Sequence, residues 1–342
     1  MAKNSARSER PLFYAASWAA IVVCIAAGAF APNASNDAGV VILLASTLLF
    51  GLPHGACDLW VIGRARGENS LPLKIIIALA LVYVGLAGAM FALWRTNAPA
   101  ALVFFLLLAA WHFGSGDAAF WFGETGLRRG DDVDRANRQS RIAVSAGRGL
   151  LVIAAPLSFR AAECAPLLAR FARVGGDSFD GGGWLAAAHS ILLGGVFLQC
   201  AGLSNLAASK SQRIAFAVET LLLLMLFICA PPRLSVACYF IFVHSWRHLR
   251  RIEKYEIPTA ANSLAETPPL FDFRRRGIAK QHWRGLPFTV LALLGIGFPL
   301  IISMRAAPIA SLDWTVNYLM LLAVLTLPHT LVVGWLDWRN LH

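Results

Sequence analysis

The chain alternates long apolar runs with short polar segments, and that alternation predicts an all-α protein. Ten runs stand out, at roughly residues 12–31, 38–62, 72–94, 99–122, 143–160, 184–204, 213–230, 233–250, 286–304 and 314–335. Each approaches the ~20 residues that a helix needs to cross the hydrocarbon of a bilayer. Backbone amides in lipid have to be satisfied by the protein itself, and helices do this within one segment. The expectation is a polytopic integral membrane helical bundle of about ten transmembrane helices, with a range of eight to ten. It would form a single membrane-embedded domain over residues 1–342. The fifth run is the weakest, because Arg148 lies inside it. Residues 254–284 make the longest polar segment, between spans eight and nine.

The polar segments set an orientation. Basic residues crowd alternate segments: the N-terminal tail, the pair Arg64 and Arg66, the stretch 123–142 with five arginines, Lys210 with Arg213, and the segment after Arg250. The intervening segments hold few, except 161–183, which mixes basic and acidic residues. Positively charged loops stay on the cytoplasmic side. Both termini are therefore expected in the cytoplasm, with 254–284 as a cytoplasmic linker, and every even-numbered span runs inward. The expected location is the cell inner (cytoplasmic) membrane, crossed many times. The first run is not followed by a convincing cleavage site.

Composition agrees with this reading. Hydrophobic residues make up 58% of the chain and charged residues only 14%, against about a quarter in soluble domains. The mean hydropathy is +0.62. A net charge of +11 invites a nucleic-acid reading. No nucleic-acid partner is expected, because the basic residues sit between apolar runs, where topology explains them. The six cysteines lie mostly inside apolar runs, with no CxxC spacing, and read as small buried residues rather than disulfides.

The histidines carry the candidate chemistry. His54, His112, His244, His248 and His329 fall on spans two, four, eight and ten, each within about ten residues of the expected cytoplasmic end, or about 15 Å of helix rise. His189 lies near the outer end of its span and is set aside. Ionisable or polar side chains at membrane depth are costly and commonly mark function. Pro53 and Pro328 directly precede a histidine, and Gly55, Gly114 and Gly116 closely follow one. Broken or loosened backbone at that depth suits a cavity. Asp58 and Asp117 follow His54 and His112 by four and five residues. They are candidates to accept the second ring N–H of a metal-bound imidazole. Both also lie near span ends, where an ordinary interfacial position would explain them. Arg247 stands between His244 and His248 and could pair with one of these two acids in low dielectric.

Imidazole suits zinc, copper, iron and nickel. The pair in "HSWRH" (244–248) can chelate one ion from a single helix turn, and His54 and His112 could complete a four-nitrogen set. Bis-histidine haem in an electron-transfer protein is one alternative, although His244 and His248 on one turn would crowd a single haem. A histidine-lined transporter is another, although little internal repeat symmetry is visible. Aromatic residues surround the histidines. Trp111, Phe113, Tyr239 and Trp246 are candidates to line a tunnel for a long apolar ligand, against the commoner interfacial belt.

The blocks "PHGACD" (53–58), "WHFGSGD" (111–117), "HSWRH" (244–248) and a late "PH" (328–329) occur in that order. Together they resemble the Brp/Blh family of bacterial and archaeal membrane β-carotene dioxygenases, over roughly residues 50–335. The resemblance implies a non-haem Fe(II) enzyme that cleaves the central 15,15′ double bond of β-carotene with O2 to give two retinal molecules, a product that a rhodopsin would use. It implies His54, His112, His244 and His248 as metal ligands. His329 would stand beside them as a supporting group or an alternative ligand, with Asp58 and Asp117 orienting the rings. No side-chain general acid or base is required. Two departures from the family pattern are the long segments at 123–142 and 160–183 and the count of ten spans.

Overall fold

A computed structural model describes residues 10–46, 51, 55, 57–66, 71–122, 132–174, 183–248 and 312–339. Among these every regular element is helical, and none is a strand. The helices are α1 (Arg10–Phe30), α2 (Pro32–Ser46), α3 (Asp58–Ala65), α4 (Leu73–Thr96), α5 (Ala98–Phe122), α6 (Asp132–Phe159), α7 (Ala161–Val174), α8 (Trp184–Asn205), α9 (Lys210–Cys229), α10 (Pro232–Cys238) and α11 (Leu312–Arg339). A π-helical turn, Tyr239–Ser245, continues α10. The linker 254–284 and the ninth apolar run lie outside the described residues.

Six described helices are long and apolar enough to cross a membrane: Leu73–Thr96, Ala98–Phe122, Ala136–Phe159, Trp184–Asn205, Lys210–Cys229 and Thr315–Leu336. They match six of the ten apolar runs and make this a multi-pass membrane protein. The first run returns as the shorter apolar helix α1. The second is described in part: after a turn at Ala31, α2 runs from Pro32 to Ser46, and α3 starts at Asp58, with most residues in between outside the described set. Proline suits a first helical position, since its missing N–H has no intrahelical partner there. The segment after Phe159, read as a loop, forms the helix α7.

The chain divides into two compact units. The first comprises residues 1–57 and 218–287. Here α1 and α2 pack against the corner between α9 and α10, which Pro231 and Pro232 create. Gly28 lies against the backbone of Cys229 and Ala230, and Gly39 against that of Arg233 and Leu234. The Ser17 hydroxyl of α1 donates to the Phe242 carbonyl in the π-helical turn, at 2.6 Å.

The second unit comprises residues 58–217 and 288–342. Its core joins Met90 and Trp94 of α4, Ala98 and Ala101 of α5, Phe171 of α7, and Val316, Met320 and Val324 of α11. On α7, Cys164, Leu168 and Phe171 are buried at helical spacing, and the Phe171 ring lies 5.1 Å from that of Trp94. The outer face of α4 is different: Leu81, Val82 and Val84 are more than half exposed. Lipid contact explains such a surface on a spanning helix. Helices α5, α6 and α8 approach through small residues. Gly114 and Gly149 interlock between α5 and α6, while Gly147 and Gly202 meet the α6–α8 seam. Small residues let helix backbones come close, which is the main source of packing energy where burial from water supplies none.

Candidate active site

In the second unit, four elements bring polar groups into the apolar interior. His112 on α5 and His329 on α11 are both buried, and their rings meet edge to face with centroids 5.0 Å apart. His329 follows Pro328, which cannot donate a backbone hydrogen bond to the preceding turn. Its Nδ1 lies 2.8 Å from Asp58 Oδ2, at the start of α3. The Tyr83 hydroxyl on α4 donates to that same oxygen. A carboxylate oxygen accepts from both, so His329 donates from Nδ1; in a neutral ring that leaves the lone pair on Nε2. This is how proteins fix the tautomer of a histidine that ligates through its other nitrogen. Asp58, expected to orient His54, meets the imidazole of His329. His54 itself lies outside the described residues.

Asp117, a candidate to orient His112, has a partner on another helix. Its carboxylate forms a buried ion pair with Arg148 of α6, at 2.8 Å. The guanidinium also sits over the Phe216 ring, 5.1 Å from its centroid. Arg148, the oddity of the fifth apolar run, is thus wholly buried and neutralised. Both aspartates are buried, at under 4% exposure.

In the first unit, His244 ends one turn and His248 begins the next. Their rings stack, 6.2 Å apart and 18° from parallel. His244 also stacks on Phe240, at 5.8 Å. The turn that carries His244 is π-helical, a rare geometry that recurs at functional sites. Arg247 makes a two-point ion pair with Glu219 of α9, at 3.0 and 2.5 Å. The Trp18 indole N–H donates to the same carboxylate at 3.0 Å. His189 accords with its exclusion: it is exposed, and its Nδ1 meets the Leu185 carbonyl. Of the tunnel candidates, Tyr239 is buried, Phe113 and Trp246 are partly buried, and Trp111 is exposed. The Phe113 ring lies 6.1 Å from that of His112.

Three site residues escaped the sequence reading. Glu219 did carry a signal, as the lone acid inside an apolar run. Trp18 and Tyr83 carried none, since an aromatic in a spanning helix is ordinary.

Among the described residues, no three His, Cys, Asp or Glu side chains are gathered to hold a metal ion. The donors present nevertheless suit one. Buried imidazoles, one of them held at Nδ1 by a carboxylate, are side chains of the kind that ligate iron, copper, zinc or nickel.

Fold and site define a polytopic helical membrane protein with paired buried imidazoles. A sequence profile of the beta-carotene 15,15′-dioxygenase family matches residues 45–337, which include His54, His112, His244, His248 and His329. The chain belongs to that family. It is 29% identical to the probable beta-carotene 15,15′-dioxygenase Blh of Halobacterium salinarum, over 97% of this chain and 95% of the relative. No solved structure matches the chain.

Proposed function

We propose that this protein cleaves the central 15,15′ double bond of β-carotene with O2, in the cytoplasmic membrane, to give two molecules of retinal. The family match across those five histidines carries this reading. The double bond breaks, and each half takes one oxygen atom as an aldehyde, so both atoms of O2 are consumed. His54, His112, His244 and His248 are the residues that would hold Fe(II), with His329 beside them as a supporting group or alternative ligand. When bound, Fe(II) supplies the binding and activation of O2.

The rest falls to the chain. Neutral imidazoles add no negative charge to the site. Asp58 commits the Nδ1 proton of His329 and so fixes which ring nitrogen points elsewhere. The ion pairs Arg247–Glu219 and Arg148–Asp117 neutralise four more charges buried among the described residues, which suits an interior that takes an apolar polyene. Neighbouring double bonds of a polyene are similar in reactivity. Selection of the central bond therefore comes from where the ligand is held, a task for Phe113, Tyr239 and Trp246, with Trp111 nearer the lipid. No side chain needs to donate or remove a proton. The product suits a retinal-binding rhodopsin.

The test is expression in a bacterial host that accumulates β-carotene, with His248→Ala alongside. Loss of yellow colour and appearance of retinal, both absent in the variant, are expected. Apocarotenals of other lengths would move the cut away from the central bond. Unchanged β-carotene, with the protein present in the membrane and iron supplied, would overturn the reading.

A further inference from the structure

Tyr83 sits on α4 between two lipid-facing neighbours, Val82 and Val84, yet is itself turned inward and only partly exposed. A phenol in a membrane-spanning helix needs a hydrogen-bond acceptor, and any backbone carbonyl could serve. Its hydroxyl instead reaches Asp58 Oδ2, the atom that also accepts from His329 Nδ1. Two donors from two helices therefore converge on one oxygen of a buried carboxylate. That convergence fixes the rotation of the Asp58 carboxyl, and the fixed carboxyl sets the plane and tautomer of the imidazole. Remove the phenol oxygen and Asp58 keeps His329 but loses the contact that stops it turning. His329 in turn packs edge-on against His112, so a change in its plane is transmitted to a second imidazole.

We propose that Tyr83 is a positioning residue of the carotene-cleaving site, acting through Asp58 on His329. This rests on the reading of the site as a metal-dependent carotene dioxygenase. Tyr83 touches neither metal nor polyene in this scheme. Its effect is therefore expected in metal affinity and turnover rather than in carotene binding.

The experiment uses the full chain in lipid nanodiscs, in four forms: wild type, Tyr83→Phe, Asp58→Asn, and the double variant. Both substitutions nearly preserve shape, and thermal unfolding of each form checks folding. Co(II) serves as the spectroscopic probe, titrated against its visible absorption band, and retinal formation is measured with Fe(II). Loss of an outer hydrogen-bond partner typically weakens metal binding by about 10–100-fold. Tyr83→Phe is expected at the lower end, about tenfold, with kcat reduced and KM for β-carotene unchanged. In the Asp58→Asn background, Tyr83→Phe should add nothing, because residues acting in series are not additive.

Wild-type Co(II) affinity in Tyr83→Phe, or a full further loss in the double variant, overturns the role of Tyr83 alone. A change confined to KM does the same, since it would mean contact with substrate. If wild type itself neither binds Co(II) nor forms retinal, the carotene reading fails and this proposal fails with it.

Discussion

Arg247 and Glu219 form a buried, two-point ion pair between the helix turn that carries His244 and His248 and the middle of α9. Neither side chain is more than 4% exposed. Trp18 adds a third hydrogen bond to the carboxylate. Arginine fits this place better than lysine, because its planar fork matches both carboxylate oxygens at once.

Breaking one side of this pair leaves an uncompensated charge in the interior, at a cost of about 3–5 kcal/mol. Glu219→Gln should therefore lower thermal stability sharply. Replacing both partners by apolar residues, as in Glu219→Leu with Arg247→Met, should recover most of that loss, since apolar replacement of a buried pair is often neutral. Retinal formation should not recover with it, because Arg247 also holds the backbone between the two histidines. Unfolding curves and product yields on the three forms decide this. Full activity in the double variant would reduce the pair to a structural role.

The same physics applies to Asp117 and Arg148, with a different consequence. Here the cation lies in the middle of a spanning helix. Asp117→Asn removes the negative charge that faces Arg148, and the position of the guanidinium over Phe216 is worth about 2 kcal/mol when desolvated. That is less than the lost pair supplies. The expected result is a fall in the monodisperse fraction after detergent extraction, read by fluorescence-detected size-exclusion chromatography. An unchanged elution profile would mean the carboxylate is dispensable to folding.

Much of the fold was legible because lipid imposes one rule on every span. Six apolar runs reappear as helices within a few residues of the expected limits, except that α6 starts well before its run. Two features were not legible, each for a physical reason. Helix α7 buries only a stripe, Cys164, Leu168 and Phe171, so a reading based on continuous apolar length passed over it. The partners of the buried charges were hidden because they lie far along the chain. Asp58 meets His329 across 271 residues, and sequence proximity pointed to His54 instead.

Cys164 on α7 gives a chemical check on that stripe. Burial chiefly, and the charge of Glu163 next, push its thiol up to about 12, with Arg160 opposing. A raised thiol pKa keeps the group protonated, and only the thiolate reacts. In the folded protein, Cys164 should resist iodoacetamide at pH 8 and still react far more slowly than an unfolded chain at pH 9, because little thiolate is present that far below its pKa. An unfolded chain should react steeply faster as pH rises toward the ordinary thiol value of about 8.5. Mass spectrometry of the peptide, with and without denaturant, reads the difference. Rapid native labelling would mean that α7 does not stay docked on Trp94.

Glycines on two spanning helices predict effects of opposite sign. At Gly114, a Cβ would run into the backbone of Ser145 and Gly149, and neither can retreat without parting α5 from α6. Overpacking of this kind costs about 1–3 kcal/mol or more. Gly114 also lies two residues after His112, so the displaced helix carries the imidazole with it. Gly114→Ala should lower both thermal stability and retinal formation. At Gly194 on α8, a Cβ meets open space. There alanine relieves the backbone-entropy cost of glycine and should stabilise by up to about 1 kcal/mol, with activity unchanged. Both substitutions add the same methyl group to a spanning helix, so a general intolerance of added bulk would move them together. Only close approach of two backbones at Gly114 separates them. Equal behaviour of the two variants would contradict the α5–α6 packing that buries His112.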